Sequence, residues 1–128
     1  MSYLIDTNAW IGFWGGDQAF GSKAKQIMVD QPDTCLISMA SIWEASIKIG
    51  LGKLRLPYDL RRDLPRLLEE NGFLLLGIEQ DDALGVLDLP PHHGDTFDRM
   101  MTVQAMRRNL RVISRDPVFE RYGLRRVW

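Results

Sequence analysis

Four acids carry the chemical interest of this chain: Asp6, Glu44, Asp98 and Asp116. Asp6 closes the short apolar run SYLI, and Asp116 follows the run RVIS by one residue. Asp98 and Glu44 fall near the start of apolar-rich segments with helical spacing. Two unit charges 4 Å apart repel by about 4 kcal/mol at an effective dielectric near 20. Four carboxylates make six such pairs, so a converged set must take up protons, basic partners or divalent cations. An all-oxygen donor set suits Mg²⁺ or Mn²⁺. Ions held this way activate water and stabilise the leaving oxygen in phosphodiester cleavage. Each acid also has a plain structural reading. Asp6 before Thr7-Asn8 can cap a helix, and Asp116 before Pro117 pairs a cap with proline at the first helical position. Asp95 and Asp98 have the spacing of a capping box. Glu44 and Lys48 are ordered for a favourable i,i+4 surface pair.

The elements that must position these acids alternate between strand and helix. SYLI, TCLIS (34–38), FLLLGI (73–78) and Arg111–Ser114 read as short buried strands, with RRVW as an edge strand. Thr7–Trp14 reads as a helix stopped by Gly15-Gly16, and 22–31 as a second ended by Gln31-Pro32. Ser38 or Ser41 caps a third helix that carries Ile42, Trp43, Ala45, Ile47 and Ile49. Residues 59–71 form a fourth with Leu60, Leu64, Leu67 and Leu68 on one side. Residues 79–88 form a short helix, Phe97–Asn109 one that is apolar around much of its girth, and Pro117–Tyr122 a short last one. This alternation predicts an α/β domain with a mainly parallel sheet of four to five strands flanked by helices. Ligands bind beyond the carboxyl ends of such strands, which is where the acids fall.

The length of 128 residues suits one domain, and 45% apolar with 26% charged residues is ordinary for a globular protein. No apolar run is long enough to span a bilayer, and the N-terminus lacks a signal-peptide pattern, so a cytoplasmic protein is expected. The lone Cys35 builds neither a disulfide framework nor a cysteine-rich zinc site and reads as core. Net charge is −1, but unevenly spread. Residues 67–98 hold 8 acids and no Lys or Arg, whereas 99–128 hold 8 Arg and 2 acids. Separate acidic and basic surfaces can hold metal on one and phosphate on the other; the plainer reading is solvated helix faces. His92 and His93 lie in a Pro/Gly loop with no further metal ligand adjacent. Gly50-Leu51-Gly52-Lys53 lacks P-loop spacing and reads as a helix end. Trp10, Trp14 and Trp43 read as core or dimer contacts rather than base-stacking platforms.

The segments LIDTNAWI (4–11), SIWEASIKIGLGKLRLP (41–57), LPPHHGDTFDRMMTVQA (89–105) and VISRDPVFERYG (112–123) resemble the PIN-domain ribonucleases. Within that family the likeness is to the VapC toxins of bacterial type II toxin–antitoxin pairs. It spans nearly the whole chain, 1–128, as a single PIN-like nuclease domain with a three-layer fold. It implies Asp6, Glu44, Asp98 and Asp116 as the catalytic and metal-binding acids, with Asp6 and Asp98 the firmest ligands. Thr7, Asn8 and Ser114 would orient the carboxylates. Asp95 would be a cap or an outer partner, and Arg99 would pair with one of the acids. The chain has His93-Gly94-Asp95-Thr96-Phe97-Asp98-Arg99 where relatives carry H-R-D-P-F-D-R. It thus lacks a basic residue and a proline there but keeps Asp98.

The resemblance implies a Mg²⁺-dependent endoribonuclease (Mn²⁺ being possible in its place) that hydrolyses RNA with metal-activated water. Arg107, Arg108, Arg111 and Arg115 are candidates to hold the RNA backbone, which predicts salt-sensitive binding. A cognate antitoxin is the implied partner, laid across an apolar groove built from the first two helices and residues 42–68; a homodimer is also implied. Two other readings remain at this stage. One is a non-catalytic PIN-fold module that binds RNA or protein. The other is a Mg²⁺-dependent phosphatase or DNA nuclease, since the cluster recognises phosphoryl oxygen rather than ribose.

Overall fold

The computed structural model describes residues 1–128. Its centre is a five-stranded, wholly parallel sheet of order β3-β2-β1-β4-β5, formed by β1 (Tyr3–Ile5), β2 (Cys35–Ser38), β3 (Leu74–Leu76), β4 (Arg111–Ile113) and β5 (Arg126–Val127). Ile5 stands in register with Ile37 on one side and Ile113 on the other. Parallel strands buried on both faces read as unbroken apolar runs, as Tyr3-Leu4-Ile5 does. Alternate residues then serve opposite faces. Tyr3, Ile5, Ile37 and Ile113 join one core with Trp10, Met28 and Phe73. Leu4 and Val112 join the other with Met101, Ala105 and Phe119.

The helices are α1 (Thr7–Trp14), α2 (Ser22–Asp30), α3 (Met39–Gly50), α4 (Leu60–Asn71), α5 (Gln80–Gly85) and α6 (Thr96–Arg108). Met101 to Ala105 of α6 are buried without interruption, so this is the sandwiched helix that its girth predicts. Its end is set by Asn109 at φ 54°, a left-handed C-cap that turns the chain back into β4. Ser38, not Ser41, caps α3, accepting from the Ala40 N–H. Ser41 instead accepts a 2.8 Å hydrogen bond from Trp10 Nε1 and ties α1 to α3. Cys35 is fully buried. Pro117–Tyr122 is a 3₁₀ turn rather than an α-helix.

One expectation needs correction. FLLLGI yields only a three-residue strand, Leu74–Leu76, and Leu74 and Leu75 are about half exposed. As the sheet's edge, β3 has a neighbour on one side only. Of the tryptophans read as core or dimer contacts, Trp10 is fully buried, whereas Trp43 is 58% exposed and meets Phe97 edge-on. No helix is long and apolar enough to cross a membrane.

Candidate active site

The strand order places a switch point at β1. The chain leaves β1 toward β2 and β3, then returns to the other side of β1 as β4. Helices therefore diverge above the carboxyl ends of β1 and β4, and a crevice opens there. Asp6 follows β1, and Ser114 and Asp116 follow β4. Asp6 N–H still bonds the Ile113 carbonyl at 3.1 Å, which locks the two loops together.

Asp6 is buried and is both cap and candidate ligand. Oδ1 accepts from the Ala9 N–H at 2.7 Å, and Oδ2 accepts a short hydrogen bond from Ser114 Oγ. Ser114 Oγ in turn accepts from the Asp116 N–H at 3.0 Å, so one fully buried hydroxyl links the Asp6 carboxylate to the Asp116 backbone. Asp116 is exposed and caps the following 3₁₀ turn through Val118 N–H. Asp6, Asn8, Asp116, Asp17, Arg115 and Trp128 line a cleft of about 460 Å³.

Glu44 comes from the first half of α3 and is 5% exposed. Thr7 Oγ1 donates to its Oε1 at 2.6 Å, and Lys48 Nζ donates to its Oε2 at 2.6 Å. The hydrogen bond to Glu44 raises the Lys48 pKa above the ordinary lysine value despite some burial, with the charges of Glu44, Asp95 and Asp98 adding to it. The pair foreseen on the surface thus has a buried acid, and its lysine lies in the field of other acids.

Asp98 sits in the first turn of α6, held there by Asp95, which caps the helix by accepting from the Asp98 N–H at 2.9 Å. Its own carboxylate accepts no hydrogen bond. The nearest basic group is His93, whose Nε2 is 3.6 Å from Oδ2 while Nδ1 is 2.7 Å from the Tyr122 hydroxyl. Burial pushes Asp98 up to about 7, with the charges of Asp95, Asp6, Glu44 and Asp116 adding to it. Burial likewise pushes Asp6 up to about 6 against the hydrogen bonds from Ser114 and Ala9, and Asp116 and Glu44 push the same way. Four segments spread over the chain therefore bring their acids within one electrostatic field.

The cluster is loose. No three His, Cys, Asp or Glu side chains stand close enough to form a ready-made coordination shell. Mg²⁺ keeps several waters and takes only one or two carboxylates directly. A loose all-carboxylate group, in which burial and then neighbouring acids raise the pKa values of Asp6 and Asp98, fits a hydrated divalent cation.

The arginines divide. Arg115 lies at the cleft, 3.5 Å from Asp17 and with its guanidinium 5.2 Å from the centre of the Trp128 ring. Arg107 and Arg108 are instead committed to the buried Asp82, at 2.6 and 2.8 Å, and Arg108 also binds Glu79. Burial pushes Asp82 up, but these guanidiniums and the Glu79 N–H outweigh it and leave the acid at about 2. Arg111 begins β4, at the opposite end of the sheet from the acids. Arg99 pairs with no carboxylate; it donates to the Pro90 and Leu89 carbonyls and the Tyr122 hydroxyl, at 2.9, 3.2 and 3.3 Å. His93 is the neighbour that the sequence did not reveal, and the cue for it was weak: a histidine five residues before Asp98 in a loop of unknown path.

The fold and the sequence place the chain in a family. Residues 3–124 match the model of the PIN domain, so the chain belongs to the PIN-domain family. Solved structures share its architecture at low identity. One is VapBC2 from Rickettsia felis bound to a promoter DNA fragment: 14% identity, TM-score 0.74, covering 100% of this chain and 99% of that one. Another is DNA-bound VapBC from Salmonella typhimurium: 20% identity, TM-score 0.70, covering 99% and 97%. A toxin–antitoxin complex from Klebsiella pneumoniae aligns at 23% identity and TM-score 0.61, covering 91% and 88%. A search of curated protein sequences finds no significant match.

Proposed function

We propose that this PIN-domain protein is a Mg²⁺- or Mn²⁺-dependent endoribonuclease and the toxin of a type II toxin–antitoxin pair. The reading is supported by the raised pKa values of Asp6 and Asp98, to which burial and then the charges of Glu44 and Asp116 contribute, beside the switch point of the sheet. Asp6 and Asp98 would hold the cation, with Glu44 and Asp116 completing the site directly or through water. When bound, the cation supplies a nucleophilic water and stabilises charge on the phosphate. The chain's own groups do the positioning. Ser114 and Thr7 fix the rotamers of Asp6 and Glu44, and Asn8 and Arg115 face the cleft where the backbone of an RNA would lie. Water, rather than the ribose 2′-hydroxyl, would attack phosphorus in this scheme, so the products are expected to carry 5′-phosphate and 3′-hydroxyl ends.

The partner reading rests on the assemblies in which the similar folds occur, each a toxin–antitoxin or VapBC complex. An apolar groove of about 900 Å³ runs between α3 and α4, lined by residues such as Ile42, Ile49, Leu54, Leu56, Tyr58 and Leu64. It suits the apolar face of an antitoxin helix. The first two helices, expected to help form it, contribute nothing to its walls. Homodimerisation is supported by the exposed apolar side chains of Met39, Trp43 and Ile47 along α3.

The test is cleavage of RNA, DNA and a small phosphomonoester by the purified protein with Mg²⁺ or Mn²⁺, beside EDTA and an Asp6→Asn/Asp98→Asn variant. The expected result is RNA cleavage by the parent alone. Cleavage that survives in the variant, or cyclic 2′,3′-phosphate ends, refutes the mechanism. Cleavage of DNA or the monoester in preference to RNA refutes the substrate class.

A further inference from the structure

Both oxygens of Glu44 are engaged by the chain itself, Oε1 by Thr7 and Oε2 by Lys48. The two engagements differ in kind. Thr7 is buried and fixed in the first turn of α1, so its hydroxyl is part of the frame. The Lys48 side chain is 44% exposed, reaches inward from the next turn of α3, and can withdraw to solvent without unpacking anything. Its ammonium is a compact, mobile cation in a cluster of acids, placed by the i,i+4 geometry of one helix. Around it, beyond Glu44, act the charges of Asp95 and Asp98. The α6 arginines Arg99, Arg107 and Arg108 are bound elsewhere.

We propose that Lys48 is the built-in counter-cation of the acidic cluster: it holds Glu44 in the metal-free protein and must yield Oε2 when a divalent cation enters. Lys48 is a positioning residue in this scheme, acting through Glu44, and it sets how much free cation is needed to load the site. The inference rests on the metal-site reading given above. Removing a unit positive charge beside a divalent site lowers the repulsion on the incoming ion, and at these separations that amounts to roughly tenfold in affinity. A lysine that merely oriented Glu44 as a ligand would have the opposite effect when removed.

The experiment is calorimetric titration of the whole protein with Mn²⁺, comparing the parent, Lys48→Met and Lys48→Arg, together with thermal unfolding in EDTA and in saturating Mn²⁺. Lys48→Met is expected to bind Mn²⁺ about tenfold more tightly, to melt a few degrees below the parent in EDTA, and to recover that loss in Mn²⁺. Lys48→Arg, which keeps the charge, is expected to bind like the parent. Unchanged or weaker Mn²⁺ binding by a folded Lys48→Met protein overturns the inference while leaving the metal site standing. Absence of Mn²⁺ binding in all three proteins overturns both.

Discussion

Replacing Asp98 by Asn removes a charge that the metal-free protein holds at a cost. Burial and the surrounding acids move its pKa from 3.8 to about 7. At ~1.4 kcal/mol per tenfold change in proton affinity, that shift corresponds to about 4 kcal/mol against the ionised form. The side chain is 22% exposed, so water screens part of this, and about 2 kcal/mol is the working figure. The sign follows from linkage. Between pH 4 and 7 the folded protein binds more protons at this acid than the unfolded chain does, so stability falls as pH rises through that window. Asn cannot ionise and escapes the loss. In EDTA at pH 8, Asp98→Asn is therefore expected to be more stable than the parent by about 2 kcal/mol, several degrees in Tm. At pH 5 the difference should shrink to a fraction of that. Saturating Mg²⁺ should reverse the order, because the parent gains binding energy that the variant lacks. The assay is thermal unfolding by far-UV circular dichroism from pH 5 to 8, with EDTA and with Mg²⁺. A variant less stable than the parent in EDTA at every pH, or a difference that ignores pH, would refute the account of Asp98 as a repelled, buried acid.

Ser114→Ala leaves Asp6 Oδ2 and the Asp116 N–H without their shared hydroxyl; urea unfolding should show a loss of about 1–3 kcal/mol, and Mn²⁺ affinity should fall. Arg108→Ala strips the buried Asp82 of one of its two guanidiniums and should cost about 2 kcal/mol of stability, with RNA affinity in filter binding left as in the parent. Arg115→Ala should do the reverse: stability within about 0.5 kcal/mol of the parent, RNA binding weaker, and the salt dependence of log K shallower by about one. His93→Ala removes the imidazole 3.6 Å from Asp98 Oδ2; titration of Asp98 followed by carboxyl NMR in EDTA should then move further upward, and an unmoved titration would deny His93 an electrostatic role.

Much of this fold is written in local sequence. Tyr3-Leu4-Ile5, Cys35–Ser38 and Arg111–Ile113 are strands because short apolar runs end at caps and polar turns, and α1, α3 and α6 begin at the capping residues Asp6, Ser38 and Asp95. Neighbouring residues set such features through backbone sterics and capping hydrogen bonds, so they can be read a few residues at a time. The places of the four acids in the fold could be read for the same reason: each sits at a strand end or in the first half of a helix, the end of an α/β sheet where ligands bind.

What the tertiary structure decided was partnership. Ser114 and Asp6 are 108 residues apart in sequence and meet only because β4 returns beside β1. The basic C-terminal third carries charge in every composition count, yet Arg107 and Arg108 are consumed by an acid 25 and 26 residues upstream, Arg111 faces away at the far end of the sheet, and Arg115 alone reaches the cleft. Trp43 shares the helical pattern of a core residue and stands exposed. A charge or an apolar ring has many acceptable partners, and its choice among them depends on long-range packing, which local periodicity does not encode. The sequence determined which groups were available for chemistry; the crossing of the chain over β1 determined which of them could act together.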